Sequence, residues 1–250
     1  MRYAFAGDRQ ISVSILSLLI GRGFKPLALM VSKPEIESHS KDLIELSKLE
    51  PEHVMCGSNF KSTQNIKLLK KLNLDYIIGI HFPVIISEEV LNIPRVGFLN
   101  LHPSYLPYNK GWHTPSWSII ENTPYGATLH FMSMELDGGD IIHQKQIKIR
   151  PDATANCIYR EVLKLEYEVF EEVLEDIVSL IPIRSPQLSK GTSHVRKDLL
   201  DVQRIDFNEE LNIGVLIDKL RALTTNDINE AAFFEANGKK YAVQVKIQEL

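Results

Sequence analysis

Only two cysteines occur in the chain, Cys56 and Cys157, far apart and in no metal-ligand spacing. A disulfide framework and a Cys-rich zinc site are therefore excluded, and free thiols in a reducing compartment are the plain account. Histidines His39, His53 and His194 show no partner pattern, so no metal site is expected. No apolar run reaches the roughly 18 residues that a membrane span requires. The opening MRYAFAGDRQ puts Gly7, Asp8 and Arg9 where a signal peptide would need its apolar core, so the expectation is a soluble, cytoplasmic protein. Basic charge is not in excess either: 28 Lys and Arg stand against 32 Asp and Glu, a net charge of −4. A nucleic-acid binder with a broad phosphate footprint is disfavoured, although a small local basic cluster could still face one anionic ligand. Internal repeats and low-complexity tracts are missing as well.

What remains is a globular composition, 44% hydrophobic and 24% charged over 250 residues. Short apolar runs at Tyr3–Ala6, Leu27–Val31, His53–Cys56 and Tyr76–Ile80 alternate with helical patterns, among them one from Ile11 to Gly21, Lys41–Leu49 and Thr63–Leu72. Uniformly apolar strands joined by helices predict an α/β fold: a doubly wound, mostly parallel Rossmann-like sheet. Gly97–Leu101 is the next strand and runs into the loop HPSYLPYNKGW. Pro115–Glu121 reads as a helix, and Ala127–Met132 and Ile141–Ile149 read as strands around LDGGD. One long helix is expected over Thr154–Leu180, with Ile158, Val162, Leu165, Val169, Val173 and Ile177 on its apolar stripe. The proline-broken stretch near Ile181–Gly191 suggests a boundary, giving a larger domain over 1–185 and a carboxyl-terminal subdomain over 186–250. That subdomain reads as a helix around Leu211–Leu223 and strands at Ala231–Ala236 and Lys240–Ile247, joined by Asn237-Gly238 as a tight hairpin turn. Phe234 and Tyr241 fall on the hairpin face opposite the one that Leu216, Leu220 and Leu223 can cover. An aromatic second face predicts a homodimer, with packing back onto the rest of the same chain as the alternative.

Ligands of open parallel sheets bind beyond the carboxyl ends of the strands. Polar residues there are Gly7-Asp8-Arg9, His81-Phe82-Pro83 and Asn100-x-His102. The GxGxxG fingerprint is missing after the first strand, where Gly7 stands alone, which demotes nicotinamide chemistry. Asn100 and His102 sit two apart on one strand and share a face. An amide donor beside an imidazole suits a developing oxyanion on an acyl carbon, with the ring able to move a proton. Packing and turn formation explain the pair equally well when it is taken alone. Asp140, closing Leu136-Asp137-Gly138-Gly139-Asp140, is the carboxylate expected to orient or charge the imidazole, and the two glycines allow close approach to a flat ligand. Arg9 and Lys110 could hold a diphosphate, Tyr105 and Trp112 could stack on a flat ring, and Pro83, Val84 and Ile85 could form an apolar wall. Each is as readily a surface or packing residue.

Taken together, FLNLHPSYLPYNKG and ATLHFMSMELDGGDIIHQKQIKI resemble the formyltetrahydrofolate-dependent formyltransferase family. The match rests on Asn100, His102, Ser104, Leu106 and Pro107, and on Asp137, Gly139 and Asp140. Gly7-Asp8-Arg9-Gln10, Gly79-Ile80-His81-Phe82-Pro83 and Tyr108-Asn109-Lys110-Gly111-Trp112 are similar to the branch that acts on nucleotide sugars. The resemblance implies an N-formyltransferase with 10-formyltetrahydrofolate as formyl donor and a dTDP-linked amino-deoxy sugar as acceptor, working in surface-polysaccharide (O-antigen) synthesis without metal, nucleic acid or membrane. It implies Asn100, His102 and Asp140 as catalytic residues. Phe82, Pro83, Val84, Ile85, Asp137, Gly138 and Gly139 would face the folate, and Asp8, Arg9, His81, Tyr105, Lys110 and Trp112 the nucleotide sugar.

Overall fold

Seven strands form one sheet in the order β3-β2-β1-β4-β5-β7-β8 in the computed structural model, which describes all 250 residues. In chain order the elements are β1 (Tyr3–Gly7), α1 (Gln10–Gly21), β2 (Ala28–Val31), α2 (Ser40–Ser47), β3 (Val54–Cys56), α3 (Thr63–Lys71), β4 (Tyr76–Ile80), α4 (Glu88–Leu91) and β5 (Gly97–His102). They continue as β6 (Lys110–Gly111), α5 (Thr114–Ile120), β7 (Tyr125–Phe131), β8 (Ile141–Ile147), α6 (Ala155–Glu172) and α7 (Leu174–Val178). The chain ends with β9 (Ser193–His194), α8 (Asp198–Gln203), α9 (Ile213–Ala222), β10 (Ala232–Ala236) and β11 (Lys239–Val243). Strands β1 to β5 pair in parallel, and β7 joins β5 antiparallel. This is the expected doubly wound sheet with flanking helices.

Two compact units are present, and they do not follow a single cut in the chain. The first comprises Met1–His102, Thr128–Gln144 and Glu166–Gln187, and the second Pro103–Ala127, Lys145–Leu165 and Leu188–Leu250. The expected boundary after residue 185 falls close to Leu188, but the second unit also takes in two earlier segments.

Within the first unit, β1 and β4 are buried along their whole length, as strands covered on both faces must be. Helix α1 buries Ile11, Ile15, Leu16 and Leu19 at helical spacing and ends where Gly23 adopts φ +88°. The long carboxyl helix expected over Thr154–Leu180 breaks at Val173, whose φ −107° and ψ 8° separate α6 from α7. Along the expected stripe Ile158, Val162, Val169 and Ile177 are fully buried and Val173 is buried, whereas Leu165 is only partly so.

The strand order reverses between β1 and β4, and a single hydroxyl closes that switch point. Ser12 Oγ donates to the Ile80 carbonyl at 2.7 Å and accepts from the Asp8 and Arg9 amides at 3.2 and 3.1 Å. A Cβ on Gly7 would lie 2.6 Å from Ser12 Cβ, so the lone glycine makes room for the serine rather than for a pyrophosphate.

Asp8 has no exposed surface and anchors the neighbouring loop. Its carboxylate accepts from the Ser38 amide at 3.0 Å, the His39 amide at 3.3 Å and Ser40 Oγ at 2.6 Å, and pairs with Arg9 at 2.8 Å. Burial opposes its ionisation, but hydrogen bonds from Ser40, Ser38 and His39 outweigh that and hold the carboxyl below its ordinary value. A lowered folded-state value means that the unfolded chain binds more protons in acid. The stabilisation is thus complete above the ordinary carboxylate range and lost as pH falls through the folded value. Asp8→Asn is expected to lower unfolding free energy at neutral pH by about 1–3 kcal/mol and to flatten the acid side of the stability curve. Urea titrations across the acid range check both, and an unchanged acid slope refutes the role.

In the second unit, Ile119, Tyr125, Ala153, Ala155, Ile158, Val162 and Ala222 form one core. The carboxyl-terminal hairpin follows the sequence reading closely. Asn237 and Gly238 both take positive φ, 51° and 70°, as a tight turn between right-twisted strands demands. Leu199, Leu223 and Ala232 pack together with Leu220 on one side. Phe234 stacks on Tyr241 at 5.3 Å and touches Phe207 at 5.1 Å, and Phe207 and Tyr241 are exposed.

Candidate active site

Strand β5 ends in Asn100 and His102, and the antiparallel register with β7 sets His130 directly across from Asn100. His130 is fully buried, with Nδ1 2.8 Å from the Phe131 carbonyl and Nε2 3.2 Å from Asn100 Nδ2. A carbonyl cannot donate, so Nδ1 carries the proton and Nε2 accepts from the Asn100 amide. The same Asn100 nitrogen donates to Asp137 Oδ1 at 3.4 Å. Between an acceptor nitrogen and a carboxylate, the Asn100 side chain must present its NH2 and not its oxygen. His102 Nε2 lies 3.5 Å from Asp137 Oδ2, and both side chains are about nine-tenths buried. An amide donor, an imidazole and a carboxylate thus converge at the carboxyl end of β5. The first of these is held by a second imidazole that the sequence reading did not single out.

The carboxylate in this cluster is that of Asp137, three residues before the expected Asp140. Asp137 adopts φ 45°, and this left-handed turn is part of the loop geometry that delivers its side chain to Asn100 and His102. Asp140 engages β7 through its backbone carbonyl, which accepts from the Phe131 amide at 2.8 Å. Gly139 is required by close approach, since a Cβ there would lie 1.9 Å from the Phe131 carbonyl oxygen. Gln187 Nε2 donates to the carbonyls of Asp137 and Gly139, each at 2.8 Å, and ties the loop in place from a segment distant in sequence.

A family model described as formyl transferase matches residues 29–174, which include both strands and the loop that carry this cluster. The chain belongs to the formyl transferase family. A second model, the N-formyltransferase dimerization C-terminal domain, matches residues 198–249. Among curated relatives, the dTDP-4-amino-4,6-dideoxyglucose formyltransferase of Mycobacterium bovis is 31% identical over 62% of this chain and 67% of its own length. The methionyl-tRNA formyltransferase of Ehrlichia canis is 30% identical over 97% of this chain and 79% of its own length. The fold is shared with a 4-N formyltransferase from Francisella tularensis (TM-score 0.84, 24% identity, 100% and 99% of the two chains covered).

The other residues that the formyltransferase resemblance singled out fall into distinct settings. Phe82 and Val84 turn into the apolar cluster of the first unit, Phe82 against Phe60 at 5.8 Å, while Pro83 and Ile85 face outward. Asp8 is a fully engaged anchor. Arg9 is partly exposed, with its guanidinium on Asp8. His81 takes φ 49° and directs Nε2 to Glu166 Oε1 at 2.7 Å.

Tyr105, Lys110 and Trp112 lie in the second unit. Their loop is fixed by Asn109, which takes φ 56° and donates from Nδ2 to Thr123 Oγ1 at 3.0 Å and the Pro124 carbonyl at 3.3 Å. Lys110 is buried in β6, beside β9, whereas Trp112 is half exposed under the Arg196 guanidinium at 5.5 Å. No group of three or more His, Cys, Asp or Glu is arranged to hold a metal ion, and no helix is long and apolar enough to cross a membrane.

Proposed function

We propose that this formyltransferase moves the formyl group of 10-formyltetrahydrofolate to the amine of a dTDP-linked amino-deoxy sugar, with dTDP-4-amino-4,6-dideoxyglucose as the leading acceptor and surface-polysaccharide (O-antigen) synthesis as its setting. The observation that carries the reading is the Asn100–His102–Asp137 cluster in a chain of this family. Attack of a neutral amine on the formyl carbon makes a tetrahedral centre with an oxyanion. Asn100 Nδ2 is the donor for that oxygen: its bond to His130 is the firmer, and the longer contact to Asp137 is the one an acyl oxygen displaces. His102 and Asp137 stand together to take the proton leaving the amine and to return one to the departing folate nitrogen. The outward-facing Pro83 and Ile85, backed by Phe82 and Val84, and the Asp137–Gly139 loop serve the folate. Arg9, Tyr105, Lys110 and Trp112 carry the chemistry that a diphosphate, a sugar and a base require. Asp8, by contrast, acts as scaffold.

The acceptor is tested by product mass after incubation with 10-formyltetrahydrofolate and a panel of dTDP- and UDP-amino sugars beside methionyl-tRNA. Formylation of a dTDP-amino sugar is expected. Formylation of the transfer RNA alone refutes the sugar reading and favours the activity that the Ehrlichia canis relative is named for. The near-equal acidic and basic content of residues 191–250 supports the sugar.

The same reading includes a homodimer through the carboxyl-terminal hairpin. The Phe207–Phe234–Tyr241 cluster, exposed at Phe207 and Tyr241, and the matched dimerization domain support it. Sedimentation at micromolar concentration is expected to give a dimer, and Phe207→Ser with Tyr241→Ser to shift it towards monomer. A wild-type monomer overturns this part.

A further inference from the structure

Glu166 lies in the middle of α6 and has no exposed surface. Its Oε1 meets His81 Nε2 at 2.7 Å, and its Oε2 has no hydrogen-bond partner. A buried carboxylate is costly even when paired, and an apolar side chain would serve the packing of a helix better. The packing of the helix does not account for a carboxylate here, whereas the 2.7 Å contact with His81 does. His81 directly follows Ile80, the last residue of β4, which pairs with Leu101, and so stands two residues beyond the Gly79–Asn100 pair. The left-handed φ of 49° at His81 turns the chain out of the sheet. From there Phe82 and Val84 face the apolar cluster while Pro83 and Ile85 face outward. On the other side of the turn, Ser12 Oγ already holds the Ile80 carbonyl.

We propose that His81 and Glu166 form a positioning pair that fixes the turn 81–85, so that His81 serves the formyl-donor side of the site through the backbone rather than touching the nucleotide sugar. The inference rests on the reading of that turn as a wall for the folate. His81→Gly separates the pair from the backbone, because glycine accepts φ 49° without strain and only the ring is lost. In the full-length protein the KM for 10-formyltetrahydrofolate is expected to rise about tenfold or more, with kcat and the amino-sugar KM within about threefold. Amide exchange over residues 81–86 of the unliganded variant is expected to quicken by about tenfold. His81→Gln, whose amide nitrogen reaches the place of Nε2, keeps a donor for Glu166 and is expected to recover a large part of both effects. Glu166→Gln, which preserves volume and removes the charge, is expected to show the same selective rise in smaller measure.

A loss spread evenly over kcat and both KM values, or a fall in Tm with the donor KM unchanged, overturns the proposal. So does unaltered exchange in the turn. Should the wild-type protein transfer no formyl group, the functional reading falls by itself, and the exchange measurement still decides whether the pair fixes the turn.

Discussion

Asp137→Asn is expected to lower kcat by about 10²–10⁴, the range that a positioned proton-transfer group contributes, while Asp140→Asn stays within about threefold of wild type. The contrast follows from geometry. Asp137 directs one oxygen to Asn100 at 3.4 Å and the other to His102 at 3.5 Å, whereas Asp140 meets β7 through its backbone. Asparagine is the informative replacement, because it tolerates the left-handed backbone at position 137 and keeps the shape of the side chain. What it loses is the negative charge beside His102 and the capacity to take a proton. Gly139 and the two Gln187 hydrogen bonds hold the loop in both variants. Unfolding curves should therefore nearly coincide, and steady-state rates at saturating donor and acceptor provide the comparison. A severe loss in Asp140→Asn with an active Asp137→Asn would return the role to the residue expected from the sequence alone.

That pair of aspartates shows where a sequence stops being readable. The strand β4 was legible at Tyr76–Ile80, and the hairpin turn at Asn237-Gly238, because each rests on local signals: an apolar run in one case and a dipeptide suited to positive φ in the other. Asn100 and His102 were legible as a pair because alternation along one strand fixes their common face. In LDGGD no such periodicity operates. One left-handed residue and a glycine lodged against the Phe131 carbonyl decide which carboxylate reaches β5. His130 escaped for a different reason. It reads as one more polar residue in a strand, and only the β5–β7 register, set by distant pairing, puts it opposite Asn100. Glu166 sits in a helix whose apolar stripe is easily seen, and its burial depends on a histidine 85 residues earlier. The single long helix expected from that stripe overlooked the break at Val173, since periodicity carries across a short interruption of the backbone. Non-local partners, not propensities, account for these differences.

Replacing Asn100 by alanine is expected to reduce kcat by about 10²–10³, the loss found when one oxyanion donor is removed, about 2.7–4 kcal/mol of transition-state stabilisation. The KM for the amino sugar should change little, because the bond to the acyl oxygen strengthens only as charge develops on it. The variant also takes the Asn100 donor away from buried His130 Nε2, which has Asp137 Oδ1 at 3.8 Å; a modest fall in stability is expected beside the kinetic loss and can be measured separately. His102→Ala is expected to fall at least as far, about 10²–10⁴ in kcat, since it removes the ring that stands 3.5 Å from Asp137 and that we propose for proton transfer. The informative measurement is the double variant. If the two side chains act on one transition state, the Asn100→Ala/His102→Ala loss will be well short of the product of the single losses, as happens for residues that work as a unit. Fully multiplicative losses would mean that the two side chains contribute independently to the same transition state, each without needing the other. A variant of either residue that turns over at the wild-type rate removes that residue from the mechanism. The remaining member would then have to stabilise the tetrahedral centre from its own position at the end of β5.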